Sequence, residues 1–166
     1  MQIMTTMVKM KKEEKTNVCR ILDQKKAEYT FRRFDTDETN GVKLAAILGQ
    51  NPEKVFKTLV TVGNSKNHYV FVIPVSAELN LKSAAKVVGE KKIEMIPQKE
   101  LLPLTGYVHG GCSPIGMKKF FKTTFHITAQ DFDTIYFSAG KIGAQIEMPL
   151  EELKKVIQFE TADLIV

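Results

Sequence analysis

The runs from Val55 to Val62 and from His68 to Val75 constrain this chain more than any other feature. Both are rich in β-branched and aromatic residues, and Gly63-Asn64-Ser65-Lys66-Asn67 between them supplies turn-forming residues, so the stretch reads as an antiparallel hairpin. A hairpin of this kind needs further strands and a covering layer from the rest of the chain.

The flanking segments do not repeat as regular βαβ units. Thr16 or Asn17 caps a helix whose apolar positions Val18, Ile21 and Leu22 recur at helical spacing through about Lys26. Tyr29 to Phe34 alternates as a strand, Asp35 to Asn40 is a polar turn, and a short helix runs from about Gly41 to Leu48, where Gly49 stops it. Asn51-Pro52-Glu53 forms another turn. Beyond the hairpin, Leu81 to Val88 is a helix stopped by Gly89, Ile93 to Ile96 a short strand, and Gln98 to Leu102 a helical turn that Pro103 ends. Thr123 to Thr128 and Thr134 to Ser138 read as strands, Ala139 to Gly143 as a turn, and Ala144 to Met148 as the strand it feeds. Pro149 then opens a helix from Leu150 to Ile157, with Glu151 and Glu152 near its positive end. This order implies an α+β (α/β mixed) fold with a mixed sheet.

The 166 residues suit one domain, and 43% hydrophobic with 26% charged residues match a water-soluble globular unit. Residues 1–15 are expected to be a flexible N-terminal segment and residues 16–166 the folded domain. The four methionines among the first twenty residues are interrupted by charges from Lys9 to Lys15, which excludes a signal-peptide core, and no later run spans a membrane. Cys19 and Cys112 lack the paired spacing of a zinc site, so no metal and no disulfide framework is expected, and reduced thiols fit a cytoplasmic protein. Cys19 reads as a small buried hydrophobe. His68 and His126 are lone histidines on strands, read as satisfied or exposed positions rather than ligands. The formal charge of +5 favours polyanionic partners without defining a site.

Two places invite chemistry. Period two puts Lys57 on the side of Val55 and Leu59. Its ammonium either reaches water at a strand start or faces a ligand cavity, where it meets phosphate, hydroxyl or a developing oxyanion; periodicity does not separate the two. The second place is the loop Gly106-Tyr107-Val108-His109-Gly110-Gly111-Cys112-Ser113-Pro114-Ile115-Gly116. His109, Cys112 and Ser113 suggest a nucleophile and base, but the strand, nucleophile and helix arrangement of an esterase elbow is missing. The loop also reads as a cradle of backbone donors, or as a tight connection, and its spacing is neither Walker-type nor dinucleotide-binding. Lys91 with Lys92, and Lys118, Lys119 and Lys122 interleaved with Phe120 and Phe121, are solvated faces or, as a group, contacts for phosphates.

Four stretches in this order resemble the YbaK/EbsC family of bacterial aminoacyl-tRNA deacylases, which is related to the editing domain of bacterial prolyl-tRNA synthetases. They are Val55-Phe56-Lys57-Thr58-Leu59, Leu81-Lys82-Ser83-Ala84-Ala85-Lys86, Thr105 to Gly116, and Ile135-Tyr136-Phe137-Ser138-Ala139-Gly140-Lys141-Ile142-Gly143. The resemblance runs from about Val18 to near the C-terminus and implies a single domain with a barrel-like mixed sheet surrounded by helices. It implies neither metal nor organic cofactor. The implied activity is trans-editing, the hydrolysis of Cys-tRNA(Pro), with an Ala-tRNA(Pro)-specific relative or a non-catalytic tRNA- or synthetase-binding module as alternatives. The implied partners are aminoacyl-tRNA and prolyl-tRNA synthetase.

Carried over residue by residue, the resemblance makes Lys57, Gly110 and Ser138 the catalytic set. It makes Phe34, Thr58, Gly111, Cys112, Ser113, Pro114, Gly140 and Lys141 the substrate-binding set. Phe34 falls where relatives often carry tyrosine, so a hydroxyl is absent there. Ala139 replaces a glycine, and Cys112 replaces an aliphatic residue.

Overall fold

The computed structural model describes residues 15–166. The expected flexible segment 1–15 lies outside them except for Lys15, whose Nζ pairs with Asp23 at 2.9 Å. Helix α1 (Asn17–Gln24) is followed by β1 (Thr30–Arg33), α2 (Gly41–Leu48), β2 (Phe56–Gly63), β3 (His68–Pro74), α3 (Leu81–Val88) and β4 (Ile93–Met95). A 3-10 turn (Gln98–Glu100) leads into α4 (Leu101–Thr105); then come β5 (Lys122–His126), a 3-10 turn (Ile127–Asp131), β6 (Ile135–Ser138), β7 (Ala144–Met148), α5 (Leu150–Leu153) and β8 (Glu160–Ala162).

The strands form two sheets. One is antiparallel in the order β1-β7-β6, and the other runs β4-β2-β3-β5-β8. In the larger sheet β2 pairs antiparallel with β3 and β4, whereas β3–β5 and β5–β8 are parallel, which makes it mixed as expected. The sheets meet through a parallel bridge between Val55 and Tyr136, reinforced by the Tyr136 N–H donating to Lys54 O at 3.1 Å. The barrel-like closure implied by the family resemblance is therefore corrected to two sheets joined at one corner.

Strand β3 explains why its sequence is an unbroken apolar run. It lies between β2 and β5 with both faces covered, so Val70 and Val72 enter the main core while Phe71 and Ile73 pack under α3 beside Ala84 and Ala85. Helices α2 and α3 share one local design. Asn40 and Asn80 accept the N–H groups of Lys43 at 3.0 Å and Ser83 at 3.1 Å, and Gly49 and Gly89 close the far ends in the left-handed region. In α1 the Thr16 hydroxyl accepts the Cys19 N–H at 3.4 Å, and Val18, Cys19 and Leu22 fill the core.

Three local expectations need correction. Pro103 does not end its helix; as the third residue of α4 it lacks only an N–H that has no intrahelical acceptor at that point, and the helix continues to Thr105. The strand expected over Thr123 to Thr128 runs from Lys122 to His126, then turns 3-10. The last helix stops at Leu153 rather than Ile157, and three residues of β8 follow, which lacked any strong β signal. Among the described residues no helix is long and apolar enough to cross a membrane.

The C-terminal segment is fixed by a buried histidine. His126 Nδ1 accepts the Leu164 N–H at 3.1 Å, so the neutral ring carries its proton on Nε2. Burial pushes the His126 pKa below 6.5, against the opposing pull of Asp163 and Asp131. An unfolded histidine takes up its proton at a higher pH than this one, so the stability linked to the neutral ring is present above about pH 6.5 and is lost as pH falls through the folded value. The urea midpoint is expected to drop between about pH 7.5 and about pH 5, and to drop less in His126→Asn, whose Oδ1 takes the place of Nδ1 and can accept from Leu164 without titrating. Equal drops in the two proteins would rule out this linkage.

Candidate active site

A cavity of about 310 Å³ opens where the two sheets meet. Its walls come from four distant parts of the chain: the start of β2, the end of β6 with the following turn, the segment from Phe34 to Leu48, and the glycine-rich loop. Of the expected site residues it gathers Lys57, Gly110 and Ser138, together with Phe34, Thr58, Cys112 and Lys141. Gly111, Ser113, Pro114 and Gly140 do not reach its surface.

Lys57 lies on the β2 face that α3 covers at Leu59, but at position 57 the cover has run out and the side chain borders the cavity. It is half-buried, and its ammonium group has no ion-pair partner within 4 Å among the described residues. Desolvation pulls its pKa below the usual lysine value of 10.5, while the charge of Glu78 pulls the other way. Next to it, Thr58 Oγ1 is buried without a hydrogen-bond partner among the described residues.

The glycine-rich loop contributes backbone. The Gly111 N–H donates to Val108 O at 3.0 Å and closes a turn in which Gly110 has φ of +87°. That uses up the Gly111 amide, whereas the Gly110 amide has no protein acceptor among the described residues. Gly110 is required twice over: its φ favours glycine, and a Cβ there would stand 2.7 Å from Thr39 Cγ2. Behind this wall, fully buried Ser113 accepts the Ile115 N–H at 3.3 Å, and the Tyr107 hydroxyl donates to Ile115 O. Ser113 and Pro114 thus shape the loop from its buried side.

Opposite, Ser138 Oγ accepts the Gly140 N–H at 3.0 Å, which leaves the hydroxyl proton free to donate. The turn is held by the Phe34 N–H donating to Gly143 O at 2.7 Å, and a Cβ on Gly143, at φ +80°, would lie 2.6 Å from Phe34 O. Exposed Lys141 borders both the main cavity and a second one of about 270 Å³, which Gly140, Asn17 and Lys118 also line.

Cys112 faces the cavity, and burial pushes its thiol pKa up to about 12, so it stays protonated at neutral pH. His109 is exposed, and no hydrogen bond joins the two among the described residues. The arrangement holds a cation, a free backbone N–H and a hydroxyl donor, without an activated protein nucleophile. Such a set can orient and polarise a carbonyl or phosphate oxygen.

Among the lining residues that escaped the sequence reading are Gln145 and Glu38. Buried Gln145 exchanges two amide hydrogen bonds with Gln50, at 2.8 and 2.9 Å, tying the cavity floor to the end of α2. Glu38 sits in the polar turn before α2. No spacing rule marks either one, because each is brought to the site by tertiary packing alone.

Residues 38–156 match the family model for the aminoacyl-tRNA editing domain. The chain is 43% identical over 160 residues, 95% of its length and 98% of the other's, to the "Putative Cys-tRNA(Pro)/Cys-tRNA(Cys) deacylase EbsC" of Enterococcus faecalis. Among solved structures it is similar to "hypothetical protein APE2540", with a TM-score of 0.82 at 22% identity over 90% of this chain and 99% of that one. It is also similar to "a putative trans-editing enzyme for prolyl tRNA synthetase", with a TM-score of 0.76 at 20% identity over 92% and 99%. At these identities the structural likenesses establish the shared fold, while the family match and the EbsC identity establish kinship. The chain belongs to the aminoacyl-tRNA editing domain family and, within it, to the YbaK/EbsC group.

Proposed function

We propose that the protein is a trans-editing deacylase that hydrolyses cysteine wrongly attached to proline tRNA. The observation that carries this reading is the convergence of Lys57, the Gly110 amide and Ser138 on one small cavity whose own cysteine is held as a neutral thiol. A volume of about 310 Å³ accommodates a small aminoacyl group with its terminal ribose. The EbsC relative supports the substrate, and a proline-shaped synthetase pocket has a physical need for such a partner, since it cannot strongly reject a small, weakly polar side chain.

In this mechanism the protein positions the ester and stabilises charge. The Gly110 N–H takes the ester carbonyl oxygen, and the Lys57 ammonium holds the terminal ribose or phosphate and stabilises the developing negative charge. The substrate's own thiol sulfur attacks its carbonyl carbon. A C–S bond forms, the ester C–O bond breaks, and the thiol proton passes to the departing ribose oxygen, with Ser138 placed to donate a hydrogen bond to that oxygen. Water then opens the resulting thiolactone to free cysteine. The same machinery leaves alanyl and prolyl esters intact for lack of a thiol. The RNA strand leaves the cavity across Lys141, where cations address phosphates rather than sequence. Tethering by prolyl-tRNA synthetase supplies the remaining tRNA selectivity.

The decisive assay is deacylation of tRNA(Pro) charged with cysteine, alanine or proline, with and without the synthetase. Release of cysteine alone is expected; alanine release would instead assign the protein to an alanine-editing group. Lys57→Ala should lower kcat/KM on the cysteinyl substrate by about 100-fold or more while the circular dichroism spectrum is unchanged. Full activity in that variant would remove Lys57 from the mechanism. Cys112→Ser is expected to alter the rate by less than about threefold, because the Cys112 thiol is buried and, among the described residues, has no base hydrogen-bonded to it to take its proton; abolished activity would revive a covalent route.

A further inference from the structure

Glu38 contributes the one carboxylate among the residues lining the main cavity. The turn that carries it is well fixed. The Glu38 N–H donates to Thr36 Oγ1 at 3.1 Å, and Glu38 Oε2 accepts the Asn40 N–H at 3.1 Å. The second carboxylate oxygen, Oε1, has no hydrogen-bond partner among the described residues. The neighbouring residue, Thr39, packs on Gly110 so tightly that a Cβ there would come within 2.7 Å of its Cγ2. Glu38 is therefore adjacent in the chain to the residue that packs against Gly110, whose amide is assigned above to the ester carbonyl oxygen.

An aminoacyl ester carries its α-ammonium group on the carbon bonded to that same carbonyl. A site that grips the carbonyl oxygen at Gly110 brings the ammonium to the adjoining stretch of wall. The other formally charged side chains lining the cavity, Lys57 and Lys141, repel an ammonium group. Among the charged groups lining the cavity only the Glu38 carboxylate offsets its partial desolvation with opposite charge, and charge-assisted hydrogen bonds of this kind are the stronger ones. We propose that Glu38 Oε1 binds the α-ammonium group of the aminoacyl ester, so that the site selects free aminoacyl ends and rejects N-acylated ones, whose nitrogen is neutral. This inference rests on the deacylase reading.

The test compares one tRNA charged with cysteine and the same tRNA after N-acetylation, which leaves the thiol and the ester in place. The wild-type protein is expected to prefer the free amine by about tenfold or more in kcat/KM. Glu38→Gln keeps an acceptor for Asn40 and removes the charge. It should lower kcat/KM on the free amine by about 10- to 100-fold and leave the N-acetyl substrate unchanged, collapsing the preference. Glu38→Asp retains the charge on a shorter arm and should recover part of the preference; it serves the same comparison if the glutamine variant melts early.

Equal losses on both substrates would mean that Glu38 only braces the turn, and the assignment would fall. An unchanged rate on the free amine, or a wild-type protein indifferent to acetylation, would sink the assignment and leave the deacylase reading standing. Hydrolysis of neither substrate by the wild type would overturn the deacylase reading, and this inference with it.

Discussion

The two sheets touch at one corner, where Val55 bridges to Tyr136 and the Tyr136 N–H reaches Lys54 O. Much else follows from that corner. Val55 O also accepts the Val75 N–H at 2.8 Å, so the hairpin is closed at the residue that carries it across to the other sheet. Beside this contact, residues of both sheets line the cavity. Lys57 lies two residues beyond the bridge on one sheet and Ser138 two residues beyond it on the other, which is why residues so far apart in sequence line one cavity.

The glycine-rich loop and the polar turn before α2 also line the cavity. Their contact at Gly110 and Thr39 is tight enough to forbid a side chain at Gly110, and the Gly143–Phe34 contact does the same on the opposite edge. Glycine here buys close approach between backbones rather than mobility. The consequence for chemistry is selective. One loop amide, that of Gly111, is consumed in shaping the turn, and that of its neighbour Gly110 has no protein acceptor among the described residues.

Much of this fold is legible in the sequence because its signals are local. Asn40 with Gly49, and Asn80 with Gly89, mark the ends of α2 and α3, and the turn from Gly63 to Asn67 marks the hairpin. What resists reading is non-local. Strand β8 exists because it pairs with β5 and is held by His126 near the chain end; its residues, Glu160-Thr161-Ala162, carry little preference of their own. The site shows the same division. Period two places Lys57 on a face but cannot tell a convex, wet surface from a concave one, and only the end of the α3 cover at Leu59 decides it. The family motifs pointed to Lys57, Gly110 and Ser138, which border one cavity, but they did not separate the loop residues that line it from Ser113 and Pro114, which are buried behind it. Glu38 and Gln145 had no local signature at all.

One physical cause, partial removal of water, acts on two side chains of the cavity with opposite chemical results. For Cys112 the charged form is the thiolate, so burial favours the neutral thiol and silences a nucleophile whose position beside a histidine in the sequence is otherwise suggestive. For Lys57 the charged form is the ammonium, so the same burial makes its charge less well solvated without supplying an ion-pair partner, and a negative ligand oxygen compensates more strongly there than it would in water. The Glu78 charge opposes the loss of the proton, which helps keep the side chain cationic while it lacks direct neutralisation. A cavity built in this way favours charge that arrives with, or develops on, its substrate over charge generated on its own thiol. That is the electrostatic condition under which a reaction can rely on the reactivity of the bound molecule.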